Sequence, residues 1–142
     1  MSPRWKPSPD RRRGRRIITS LQARLAFVTI RRGAHFTPEL LTACRAAMAR
    51  VCIDAGATLL SLDGEGDRVE VTVEYPPTAR LADLVNSMKG VSARVLRRDM
   101  AEEMEPLLHG GHLWAPDYAA ISVPPDPGSE AWSEALSRLD PS

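Results

Sequence analysis

A ferredoxin-like α+β sandwich is the fold class this sequence predicts, and three observations predict it. Apolar residues recur at helical spacing in two well-separated segments, near residues 40–52 and 81–96. Between them, Val69, Val71 and Val73 alternate strictly with Arg68, Glu70, Thr72 and Glu74, just after a Gly-rich turn. In chain order the segments read β-α-β-β-α-β with a last helix, which fits that sandwich.

Each element has its own warrant. Residues 17–30 are apolar on both strand faces, as in a central strand. Thr37 is placed to cap a helix, with Pro38 at its first position. Leu40, Leu41, Cys44, Met48, Val51 and Cys52 form one stripe of that helix, and Gly56 is placed to stop it. Residues 57–62 and 68–74 form a hairpin across Asp63-Gly64-Glu65-Gly66-Asp67. Leu81, Leu84, Val85, Met88, Val95 and Leu96 mark a second helix, loosened at Gly90. Met100, Met104, Leu107 and Leu108 suggest a shorter helical piece, and residues 119–123 a short strand. Pro124-Pro125-Asp126-Pro127-Gly128 breaks the chain before a last helical segment with Trp132, Leu136 and Leu139.

The chain of 142 residues suits one domain, expected over 17–140, that buries roughly two-thirds of its unfolded surface. No apolar run approaches the roughly 18 residues of a membrane span, and the basic N-terminal stretch has no hydrophobic signal core, so a cytoplasmic protein is expected. Cys44 and Cys52 lie in one helical pattern and read as buried free thiols of a reducing compartment. The net charge of +1 hides an asymmetry: residues 1–35 hold ten Arg or Lys and one acid, the remainder nine bases and seventeen acids. Residues 1–16, with Arg11, Arg12, Arg13, Arg15 and Arg16, read as an extended or mobile arm that seeks polyanions.

Four stretches follow one another in order: Phe27-Val28-Thr29 running into Arg31-Arg32, Phe36-Thr37-Pro38-Glu39, the helix with Lys89-Gly90-Val91-Ser92-Ala93-Arg94, and Leu113-Trp114-Ala115-Pro116-Asp117-Tyr118. In that order they resemble the single-tyrosine HUH transposases, the insertion-sequence two-hundred group. The resemblance implies an antiparallel sheet with helices on one face and a DNA-processing site on the other. It also implies a reaction in which Mg²⁺ or Mn²⁺ polarises a phosphate of single-stranded DNA beside a hairpin while a tyrosine attacks it. Family members work as homodimers with sheets joined edge to edge.

This chain departs from the pattern where the chemistry lies. The family's strand reads Asp-His-hydrophobic-His; here Arg68 and Glu70 stand at the histidine places. Guanidinium has no lone pair for a metal, so no metal or other cofactor is expected in this chain, and the two residues read as a partly exposed ion pair. A sharper alternative has Arg68 contacting a DNA phosphate in place of the ion. The family's nucleophile lies on the last helix, where an ungapped reading from Tyr118 places Glu134; Tyr75 and Tyr118 are the two tyrosines of the chain.

The expected function is therefore a degenerate transposase-like domain that binds single-stranded or hairpin DNA without cutting it. The alternative is a dimeric interaction module, or a transposon remnant, that keeps the fold alone. Candidate DNA contacts are the arginines of 11–16, Arg31, Arg32, Lys89 and Arg94, with Arg97 and Arg98 extending the helix's basic surface. Trp114 could stack on a base or pack in the core. His109-Gly110-Gly111-His112 has a metal-like spacing, but glycines offer no helix or strand to aim the rings; these and His35 read as loop and surface residues.

Overall fold

The hydroxyl of Thr37 accepts the N–H of Leu40, with Pro38 in the first turn, and so starts helix α1, Pro38–Asp54. Leu40, Cys44, Met48, Val51 and Cys52 of α1 are buried, and both thiols are free, their pKa pushed up to about 12 by burial. The computed structural model describes residues 17–31, 35–124 and 130–139. The expected arm at 1–16, Arg32 and residues 125–128 of the proline-rich break lie outside the described residues.

Four strands surround that helix in the chain: β1 Gln22–Thr29, β2 Thr58–Glu65, β3 Arg68–Glu74 and β4 Trp114–Ser122. Helix α2, Leu81–Asp99, precedes the one-turn α3, Ala101–Met104, and the 3-10 turn Glu105–Leu107; α4, Ala131–Arg138, follows β4. The sheet order is β2-β3-β1-β4, with every neighbour antiparallel. The expected sandwich is therefore present, with β1 and β3 central.

Period-two alternation sorts the sheet's faces. Ala23, Leu25 and Phe27 of β1 and Val69, Val71 and Val73 of β3 are buried in one core with Leu40, Met48, Val85, Met88 and Leu96 of the helices. Arg24, Arg68, Glu70, Thr72 and Glu74 emerge on the other face, which no helix covers among the described residues.

Four expectations need correction. The first strand starts at Gln22, not residue 17, and one of its faces is open. The hairpin loop is shorter than read, because β2 continues to Glu65 and the chain turns at Gly66, whose φ is 65°. The last strand starts five residues before the expected 119. Pro116 hid that start, and it is tolerated because β4 is an edge strand whose register shifts between Phe27 and Thr29 of β1. Helix α2 also runs unbroken through Gly90.

Gly90 sits mid-helix with nothing within 4 Å of where a Cβ would stand. Gly90→Ala should therefore stabilise the fold by about 1 kcal/mol, read as a higher urea midpoint at unchanged m. An unchanged or lower midpoint would mean that something packs against that bare backbone.

Candidate functional site

Glu70 is the centre of the open face. Its Oε1 accepts from Nη2 of Arg24 at 2.8 Å, and its Oε2 lies 2.8 Å from Nε of Arg68. Arg68 also reaches Glu65 at 3.4 Å. The geometry follows from register: Ala26 of β1 faces Glu70, so Arg24 lies two residues along the strand on the same face, within reach of a long side chain. One carboxylate thus lies between two guanidiniums, with side chains 59%, 27% and 46% exposed for Arg24, Glu70 and Arg68. Arg24 was missing from the candidates read in the sequence. Its signal was there, as the one charge inside the apolar strand 22–29.

The arrangement does not fit a divalent ion. Arg68 has no donor lone pair, and both oxygens of Glu70 are engaged by cations. Asp63 faces Glu70 across β2 and β3, and Glu65 faces Arg68, so with Glu74 this stretch of β1–β3 carries more acids than bases.

The hydrogen bond from Arg24 does most to hold Glu70 below the ordinary carboxylate range, aided by the charge of Arg68 and opposed by desolvation.

The remaining candidates are dispersed. Lys89 is no free cation: its Nζ donates to the carbonyls of Ala115 at 2.8 Å and Pro116 at 3.2 Å, and lies 5.9 Å from the ring centroid of Tyr118. Burial pushes its pKa down, with Asp117 opposing. Trp114 is 7% exposed; its ring stacks on Phe36 at 5.6 Å and tilts against Phe27 at 5.7 Å, while its N–H donates to Ser92 at 3.0 Å. The ring is thus packed in the core, the second of the two readings its sequence position offered. Arg31 donates to the carbonyl of Leu108 at 3.5 Å, Arg97 to that of Gly111 at 2.8 Å, and Arg98 pairs with Asp99; Arg94 is exposed on α2. Glu134 is exposed on α4 and pairs with Arg138 one turn on, at 3.7 Å. Arg11, Arg12, Arg13, Arg15, Arg16 and Arg32 lie outside the described residues.

The fold and the placement of these residues meet an independent finding. A family model described as "Transposase IS200 like" matches residues 17–132. The chain belongs to that family. This IS200-like domain is 24% identical to the ISDra2 transposase TnpA of Deinococcus radiodurans over 115 residues, 80% of this chain and 81% of that protein. Its fold is similar to a crystal structure of a candidate transposase from the same organism, with a TM-score of 0.69 and 22% identity over 89% of this chain and 93% of that one. It is also similar to a REP-associated tyrosine transposase bound to a REP hairpin, with a TM-score of 0.55 and 10% identity over 88% and 67% of the two chains.

The sign of the Glu70 shift sets a pH dependence. A carboxylate with a lower pKa folded than unfolded adds stability above its unfolded pKa and loses it as pH falls through the folded one. Carboxyl-resolved NMR titration should place Glu70 below ordinary glutamates, and Arg24→Met should move it back up. Glu70→Gln should flatten the acid limb of the stability–pH curve; an unchanged limb would show the pair carries no linkage.

Proposed function

We propose that this chain is a DNA-binding IS200-like transposase domain that has lost strand cleavage. The observation that carries the reading is Glu70, held between Arg24 and Arg68 at strand positions where the family resemblance puts two histidines. Without those imidazoles no metal is set to polarise a phosphate. The position read as the nucleophile's is Glu134, a carboxylate already paired with Arg138. The partner is single-stranded or hairpin DNA, a class supported by the hairpin bound to one structural neighbour.

Affinity comes chiefly from residues 1–16 in this reading. Residues 1–16 carry +6 (seven Arg or Lys, one Asp) and the rest −5 (twelve bases, seventeen acids), and the strand face around Glu70 is rich in acid, so the field of the folded part repels phosphate. One experiment tests the proposal. Purified protein should retard a labelled hairpin at low salt and form no covalent adduct with Mg²⁺ or Mn²⁺. Removing residues 1–16 should weaken binding and flatten the salt slope by several units, at about 0.7 per single-strand phosphate contact. An adduct abolished by Tyr118→Phe would overturn the loss of cleavage. No retardation at any salt would favour the interaction-module reading.

The same chain is proposed to pair with a second copy through β4. From Tyr118 to Ser122 this edge has no charge, and Ile121 is 66% exposed. Such an edge invites strand addition. Sedimentation should show a dimer that Ile121→Lys shifts toward monomer; a wild-type monomer at high concentration would remove the proposal.

A further inference from the structure

The turn between the 3-10 segment and β4 holds two histidines in a way their sequence spacing conceals. His109 donates its N–H to the carbonyl of His112, and His112 returns one to His109, both at 3.0 Å. Gly110 and Gly111 between them have φ of 60° and 82°, the left-handed pair that a type I′ hairpin turn requires. The glycines, expected to leave the rings unaimed, instead set them directly opposite one another. Residues opposed in an antiparallel bridge leave the same face, with Cα atoms about 5.5 Å apart in a doubly hydrogen-bonded pair.

The base of this turn is fixed. Leu107 and Leu113 on either side are buried, Arg97 of α2 donates to the carbonyl of Gly111, and Arg31 donates to that of Leu108. Both imidazoles stand on exposed residues, and among the described residues neither has a hydrogen-bond or ion-pair partner. Two imidazoles on one face at this separation can both reach a single ion, at about 2.0–2.1 Å from each nitrogen. The nearby guanidiniums oppose a cation but sit in solvent, where their charge is screened, and they favour an anion or water in the open positions.

We propose that His109 and His112 form a two-imidazole chelate for a borderline transition metal, Cu²⁺ most tightly, then Ni²⁺ or Zn²⁺. The site is independent of the strand carrying Arg68 and Glu70, so its test is separate from that of DNA binding.

Untagged full-length protein is titrated with Cu²⁺ or Ni²⁺ alone, by calorimetry and, for Cu²⁺, by electron paramagnetic resonance. One ion per chain with hyperfine structure from two equatorial nitrogens is expected. His109→Asn and His112→Asn should each weaken binding at least about tenfold and leave one nitrogen, while His35→Asn changes nothing. Gly111→Val keeps both imidazoles but strains the turn, and should also weaken binding while the thermal transition stays cooperative. Wild-type affinity in both histidine variants would overturn the proposal. So would two independent one-nitrogen sites, or a Gly111→Val variant that binds as tightly as wild type.

Discussion

The indole N–H of Trp114 meets the hydroxyl of Ser92 inside the core, and the placement of β4 rests on that contact and its neighbours. A buried donor left without a partner costs roughly 1–3 kcal/mol, so the tryptophan cannot slide along the helix without penalty. Ser92 in turn donates to the carbonyl of Lys89, one turn earlier, and Lys89 holds the carbonyls of Ala115 and Pro116. These carbonyls lie where the register of β4 on β1 shifts. One turn of α2 therefore fixes the irregular start of β4, and the regular ladder from Tyr118 onward follows.

That arrangement explains which parts of the molecule were legible in the sequence. Helix α1 was readable because cap, proline and apolar stripe agree, and β3 because valines alternate without interruption. The long start of β4 was not, since a proline in a strand normally argues against one, and the lysine that satisfies the displaced carbonyls comes from 26 and 27 residues away. Lys89 and Trp114 read as candidate DNA contacts for the same reason. A cation and an aromatic ring look available until the backbone and rings that occupy them are placed. Arg24 shows the converse case, a functional neighbour two strands of sequence away from Glu70 whose role depends on register alone.

The charge cluster on the open face gives the protein a different chemical character from a metal site built on the same strand. An ion held by imidazoles presents open coordination positions that draw in a phosphate oxygen. Glu70 between Arg24 and Arg68 presents positive charge already answered by a fixed carboxylate, and its partners are directional hydrogen bonds. The cluster ties β1 to β3 across the outer face, where the backbone ladder is otherwise exposed to water.

The two edges of the sheet are unlike, and this decides the geometry of any growth by strand addition. Along β2 the register shifts between Leu59 and Ser61, leaving Leu60 out of the ladder, and Arg45 reaches from α1 to the carbonyl of Leu62 at 2.6 Å. A bulge and a covering cation make that edge a poor template. The β4 edge has neither from Tyr118 to Ser122. Were both edges receptive, β2 of one molecule could accept β4 of the next, a head-to-tail contact that propagates into filaments. With one receptive edge, the dimer proposed above would pair β4 with β4, and such a two-fold contact would use up both surfaces at once. Leu60 and Arg45 are thus the residues that make the β2 edge the poorer template of the two.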